Sequence, residues 1–229
     1  MSSAAPPPTT AARTSADEAL DRFNTAQAAA KYTRGLTDTP SHKREMRCIR
    51  SALRGVPSGA RVLDLPSGTG RLLPELSGMG FIVTEADSSP HMIEQAKAFA
   101  AARGVKISDD RLVVASVFET GFSADQFDAT VCNRLFHHFF ESDVRQRALR
   151  ELRRITRGTI VVSFFSSRSF LGTLFGVRER LRSTRATDRV PISPATFARD
   201  AEAAGLKVMA WHATRPGVSK QCYAVLARA

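Results

Sequence analysis

The feature that most constrains this chain is a short apolar run ending in a two-glycine turn, Val62-Leu-Asp-Leu-Pro-Ser-Gly-Thr-Gly70. Val62, Leu63 and Leu65 suit a buried strand. Gly68 and Gly70 let the backbone bend sharply and come close to a ligand, with no Cβ in the way. The run reads as a strand over 61–65, and a helix is expected behind it over 70–76. The same alternation then recurs down the chain. Apolar strands are expected over 81–85 (FIVTE), 111–115 (RLVVA), 127–132 (FDATVC) and 159–164 (TIVVSF). Helices are expected from Ser89-Pro90 through Phe99, over 144–155, and from Ser193-Pro194 to Gly205, with proline at the first helical position of two of them. Two last strands, 207–211 and 221–226, are separated by a loop alone. Strands alternating with helices predict an α/β domain with a mostly parallel sheet. The closing pair predicts an antiparallel edge hairpin.

The N-terminal stretch has a different texture. Residues 1–14 are rich in Ser, Ala, Pro and Thr and are expected to form a disordered tail. Order should begin at Ser15-Ala-Asp-Glu18, a capping box, with Ala19, Leu20 and Phe23 at helical spacing behind it. A second helix is expected over 41–53, ending at Gly55. The remainder, 15–229, reads as one domain, which suits a chain of 229 residues that is 43% hydrophobic and 24% charged. That balance excludes collagen-like and disordered classes. No window reaches the roughly 20 uncharged apolar residues of a membrane-spanning helix. No basic start precedes an apolar core at the N-terminus, so a secretory signal is not expected. Cys48, Cys132 and Cys222 are odd in number and far apart, with no CxxC. A disulfide framework or structural zinc is therefore not expected, and a reducing, cytoplasmic setting is.

Charge is unevenly placed. The chain has 33 Lys and Arg against 22 Asp and Glu, a net +11, and only six of the bases are lysines. Arginine-heavy, alanine-rich composition is also what a GC-rich genome produces. The distribution says more: between Glu141 and Arg189 twelve arginines meet five acids, so +7 of the +11 lies in one stretch. A local basic surface attracts phosphates, anionic lipid heads or acidic substrates.

The glycine turn narrows the ligand. A dinucleotide fingerprint, G-x-G-x-x-G/A, would place a small residue where Leu73 stands, and no Gly-Lys-Ser/Thr of a phosphate loop occurs anywhere. LDLPSGTG instead resembles motif I of the class I S-adenosylmethionine-dependent methyltransferases, D-x-G-x-G-x-G. Asp64, Gly68 and Gly70 match, and Pro66 replaces the first glycine, so ligand contact is not carried over to Pro66. Val83-Thr-Glu-Ala-Asp87-Ser-Ser-Pro-His-Met92 resembles the second-strand motif, whose acid binds the ribose hydroxyls. Asp87 follows Gly68 by 19 residues, about the spacing at which an acid meets a ribose. Phe127-Asp-Ala-Thr-Val-Cys-Asn-Arg-Leu-Phe-His-His-Phe139 resembles the fourth-strand motif of small-molecule methyltransferases. At the third strand the family often has an acid that contacts adenine. Ser116 stands there, followed by Val117, which offers its N–H.

The resemblance covers about 45–165. It implies a Rossmann-like, seven-stranded, mostly parallel α/β sheet with an antiparallel C-terminal edge hairpin and helices on both faces. N-terminal helices within 15–56 would cover the donor site. Asp64, Gly68, Gly70, Asp87, Ser116, Val117 and Asn133 would hold S-adenosylmethionine, and no metal is implied. Asn133, His137 and His138 are the acceptor-side candidates, because a hydroxyl acceptor needs a base and histidine suits neutral pH. Adjacent residues on a helix point about 100° apart, so one of the two histidines at most should face the pocket. Each residue also has a structural reading. Asp64 and Asp87 could cap helices, the glycines could serve the turn alone, Asn133 could satisfy loop backbone, and either histidine could bond backbone. Cys132 reads as a buried strand residue rather than a nucleophile, and Arg71 as a solvated helix-start arginine.

The insert 166–190 places Phe170, Leu171, Leu174, Phe175 and Val177 beside a basic run. It is expected either to lie over the acceptor pocket or to pack as a helix with its arginines outward. Apolar side chains among arginines suit a greasy, partly anionic acceptor, or an anionic membrane surface that holds one. The expected function is methyl transfer to a small lipophilic molecule such as a quinone precursor, lipid or secondary metabolite. RNA methylation is the alternative enzyme, and a catalytically inactive assembly or regulatory protein the alternative class. Nucleic acid is disfavoured, because Asn133-Arg-Leu-Phe136 is not the Asn/Asp-Pro-Pro-Tyr/Phe of base-amino methyltransferases.

Overall fold

A computed structural model of the chain describes Thr14, Ser15, Thr25 and residues 39–180 and 189–229. The expected tail and first cover helix fall outside the described residues, apart from those three positions. Ser15 Oγ donates to Glu141 and accepts from the Phe140 amide at 2.9 Å.

Helix α1 (Pro40–Ala52) starts where Thr39 accepts a hydrogen bond from the His42 amide at 3.1 Å, with proline at the first position. The α/β alternation follows as β1 (Arg61–Asp64), α2 (Leu73–Gly78), β2 (Ile82–Asp87), α3 (Pro90–Ala102), β3 (Leu112–Val114) and β4 (Phe127–Cys132). A 3₁₀ turn (Phe136–His138) leads into α4 (Ser142–Ile155) and β5 (Thr156–Phe165). Helices α5 (Phe170–Arg180) and α6 (Pro194–Ala203) precede the hairpin β6 (Leu206–Ala213) and β7 (Gln221–Arg228). The seven strands form one sheet in the order β3-β2-β1-β4-β5-β7-β6. Strands β1 to β5 pair in parallel, and β7 runs antiparallel to both β5 and β6.

Two apolar layers cover the sheet. Leu63, Ile160, Val162 and Phe164 point to one face, where Val144, Leu149 and Leu152 of α4 and Phe197 of α6 meet them. Val62, Val83, Val131 and Val161 point to the other, against Met46, Ile49 and Leu53 of α1 and Leu76 of α2. Neighbours such as Val62 and Leu63 take opposite faces because side chains alternate along a strand.

The element boundaries differ from the sequence expectation for local reasons. Gly70 has φ +76°, outside the right-handed helical region, so α2 begins at Leu73 rather than at 70. β5 extends to Phe165 because it is paired with β7 from Ile160–Leu226 to Phe165–Gln221. His137 and His138 lie on a three-residue 3₁₀ turn instead of a longer helix.

Candidate active site

The parallel strands β1, β2 and β4 all point their carboxyl ends at one cavity, the place where open α/β sheets bind ligands. Its floor is the turn 65–70, in which the Leu65–Pro66 peptide is cis and Gly68 and Gly70 have φ of +57° and +76°. A Cβ on Gly70 would come within 3.1 Å of the Ala96 backbone, so the turn is pressed onto α3. Asp87 ties the turn to β2. Its carboxylate accepts from the Gly68 amide at 2.9 Å and from the Ser89 amide at 3.0 Å. Burial pushes the Asp87 carboxyl up, and the N–H groups of Ser89, Gly68 and Ser88 pull it back.

Two further acids sit at these strand ends. Asp64 and Glu85 are register partners across β1 and β2, and both are fully buried. None of their four carboxylate oxygens has a hydrogen-bond partner among the described residues. Burial pushes both carboxyls well above the usual range. Arg71 opposes this at Asp64, whereas Asp64 and Asp87 add to it at Glu85. Buried polar atoms without partners are rare, and those of Asp64 lie in the cavity wall. They form a preorganised site for a ligand carrying positive charge or N–H donors.

Basic side chains line the rest of the cavity: Arg71 beside Asp64, and Arg134 and Arg189 with His137 and His138 beyond β4. Arg71 is not solvated as the sequence suggested. It lies 2.9 Å from Glu45 of α1 and 2.6 Å from His42 Nδ1. Arg134 has φ +63°, uncommon for a residue with a side chain, and comes within 3.8 Å of Glu45. Its amide donates to Ser163 Oγ at 2.7 Å, Ser163 donates to Asn133 Oδ1 at 2.8 Å, and Gln221 Nε2 donates to Ser163 at 2.9 Å. Ser163 and Gln221 thus fix the end of β4. Neither carried a motif signal, because the contact crosses from β4 to β5 and β7.

Both histidines line the cavity, correcting the expectation that at most one would; they lie on the 3₁₀ turn Phe136–His138 that follows β4, at the cavity edge. Their ring centroids are 4.3 Å apart, and His137 stacks on Phe165 at 4.0 Å. Nδ1 of His137 is buried with no hydrogen-bond partner among the described residues. Burial, His138, Arg189, Arg134 and Lys220 all push its pKa well below the usual value, so the ring is neutral.

Of the residues expected in the site, Asp64, Gly68, Asp87, Val117, Asn133, His137 and His138 line the cavity. Gly70 lies behind the turn. Ser116 also lies outside the lining, and its Oγ accepts from the Phe118 amide at 3.3 Å, which shapes the loop that presents Val117. Cys132 is fully buried with its thiol pushed well up, as a strand residue should be. The described apolar side chains of the insert do not line the cavity. Among its described residues only Arg189 lines the wall. Met92, Leu135 and Phe139, which lie within the quoted motifs but were given no role there, and Phe118, which lies outside them, supply apolar surface.

Comparison with known proteins agrees with this geometry. Residues 62–158 match the family model described as "Methyltransferase domain". Magnesium protoporphyrin IX methyltransferase from Synechocystis, solved with bound SAH, superposes with a TM-score of 0.73 at 15% identity, covering 93% of this chain and 99% of that one.

The chain has the class I S-adenosylmethionine-dependent methyltransferase fold.

The mitomycin 7-O-methyltransferase structure is also similar to this chain, with a TM-score of 0.67 at 19% identity over 92% of this chain and 60% of that one. An uncharacterized protein of Mycobacterium tuberculosis is 28% identical over 160 residues, 69% of this chain and 56% of its own length. This chain therefore spans little more than half of that relative. Human methyltransferase-like protein 27 is 44% identical over 52 residues, 22% of this chain and 21% of its own.

Proposed function

We propose that this methyltransferase transfers the methyl group of S-adenosylmethionine to a small, lipophilic acceptor. The observation that carries the reading is the buried, unpartnered carboxylate of Asp64 in the wall of the cavity, beside a glycine turn held by Asp87. When bound, the donor supplies a methyl group on a positively charged sulfur. The residues fit such a ligand. Gly68 takes the left-handed φ of +57° that the turn needs, Asp87 and the Val117 backbone would hold the ribose and adenine, and Asp64 would face the charged end.

Alignment is the main task of this chemistry, and proximity alone contributes several kcal/mol, on the order of 7 or more in well-oriented systems. Asn133, fixed through Ser163, borders the place where donor and acceptor meet. Phe118, Leu135 and Phe139 exclude water and suit an apolar acceptor. His137 or His138 would take the proton of a hydroxyl acceptor, and a negative group on the acceptor would offset the cations that disfavour the charged form of His137. Arg134 and Arg189 suit an acceptor with a negative group.

Incubation with methyl-tritiated donor and fractionated extract of the source cells tests this reading. Label should appear in the organic-solvent extract. Label in RNA, or in no fraction, would overturn it.

A further inference from the structure

Helix α5 leaves one apolar stripe exposed among the described residues. Ser169 opens the helix by accepting from the Gly172 amide at 3.1 Å. Gly172 is buried, and a Cβ there would lie 1.9 Å from the Ser166 carbonyl oxygen, so the helix sits hard against the end of β5. Phe175 turns inward to Phe165, with Lys220 Nζ 4.2 Å from each ring. That orientation sends Phe170, Leu171, Leu174 and Val177 to solvent, at spacings of one, four and seven residues along one face. Phe170 is 68% exposed and Leu174 54%.

The stripe continues past the helix. The Phe170 amide donates to the Gly217 carbonyl at 2.9 Å, and the Leu171 amide to the Val218 carbonyl at 3.1 Å. The β6–β7 turn is thereby joined to the start of α5, and exposed Val218 extends the apolar surface. Arg168, Arg178 and Arg215 are exposed beside it. The segments 166–178 and 209–220 contain no Asp or Glu. Apolar side chains beside the exposed Arg168, Arg178 and Arg215, with Glu179 the one acid of the helix, are complementary to a lipid surface with negative headgroups, in which the chains enter the interface and the arginines meet phosphates.

We propose that α5 and the β6–β7 turn dock this protein on an anionic membrane surface. The docking stands apart from the donor reading. Its consequence, that a membrane-dissolved acceptor reaches the cavity along the contact Phe175–Phe165–His137, rests on that reading.

Vesicle sedimentation of the full chain tests the docking. One set of vesicles is phosphatidylcholine alone, and the other contains about one quarter phosphatidylglycerol. Partition should be at least about tenfold stronger into the anionic set and weaken in high salt. The double variant Phe170→Asp/Leu174→Asp should lose about tenfold or more of that partition, and Arg168→Glu/Arg178→Glu a similar amount. Both should keep the wild-type thermal midpoint and SAH affinity, since these side chains are exposed and away from the cavity. Equal partition into both vesicle sets, no partition, or unchanged partition in the Asp variant overturns the proposal. So does a dimer that Leu174→Asp dissociates, because the stripe is then covered by a second copy. Tighter binding to RNA than to anionic vesicles overturns it as well. A failure to bind SAH with vesicle partition intact sinks the donor reading and leaves the docking standing.

Discussion

The two ends of the cavity carry opposite charge and are held by different means. At the ends of β1 and β2, Asp64, Glu85 and Asp87 are buried, and only Asp87 is satisfied by backbone N–H groups. Beyond β4, Arg134, Arg189 and two histidines converge, fixed by side-chain bonds from Ser163 and by the Val190 amide, which donates to the His137 carbonyl at 2.7 Å. The acidic end is built from one local unit, strand–turn–helix–strand, and suits a cationic ligand. The basic end is assembled from β4, β5, β7 and the segment at 189. Charge polarity of this kind orients two ligands relative to one another before any reaction begins.

The comparison breaks most visibly at the acidic end. Asp87→Ala removes two backbone hydrogen bonds to a carboxylate that holds the glycine turn. It should weaken SAH binding by about 100-fold, or roughly 2.7 kcal/mol, while the far-ultraviolet circular dichroism stays native. An affinity within a few-fold of wild type would show that the turn does not depend on this acid.

Glu85→Gln sharpens the same end through stability. A carboxyl whose pKa is raised on folding binds more protons folded than unfolded. Its stabilising protonated state is therefore lost as pH rises from the ordinary carboxylate range, about 4.3, toward the folded value. The glutamine cannot ionise, so the variant should gain about 1–3 kcal/mol near neutral pH and less near about pH 5. Thermal melts across that range check it, and a loss of stability at neutral pH would mean that Glu85 has a partner. The same linkage governs ligand binding. A ligand carrying an ammonium favours the ionised form of Asp64, so SAH affinity should tighten as pH rises from about 5 to about 8.

The basic end should respond more weakly. Ser163→Ala frees the Asn133 carbonyl and the Arg134 amide. It should lower kcat about tenfold with SAH affinity unchanged, since one hydrogen-bonded hub is worth about 1–2 kcal/mol. Arg189→Ala should raise KM for an anionic acceptor a few-fold, roughly 1 kcal/mol, and leave a neutral acceptor unaffected. Identical effects on both acceptors would remove Arg189 from substrate recognition.

The same contrast explains what the sequence made legible. The succession of strands and helices, the edge hairpin and the position of Asp64, Gly68 and Asp87 at the cavity were readable because they lie within short runs where strand period and glycine chemistry are local. Glu85 lies in the run FIVTE, but nothing in that run tells that its side chain faces Asp64 across the ladder. Ser163, Gln221, Glu45 and Arg189 reach the site from distant parts of the chain, and single residues at such distances leave no spacing to read. The insert 166–190 announced its composition but not its direction. Gly172 and Phe175 set that, and they turn the apolar stripe away from the cavity.

The central claim is that the cavity at the ends of β1 and β2 binds the methyl donor. Calorimetric titration of the folded full chain with SAH tests it directly. One molecule should bind per chain, with Asp64→Asn and Asp87→Ala each weakening the interaction. Folded wild-type protein that gives no binding heat with SAH or S-adenosylmethionine at several temperatures would contradict it.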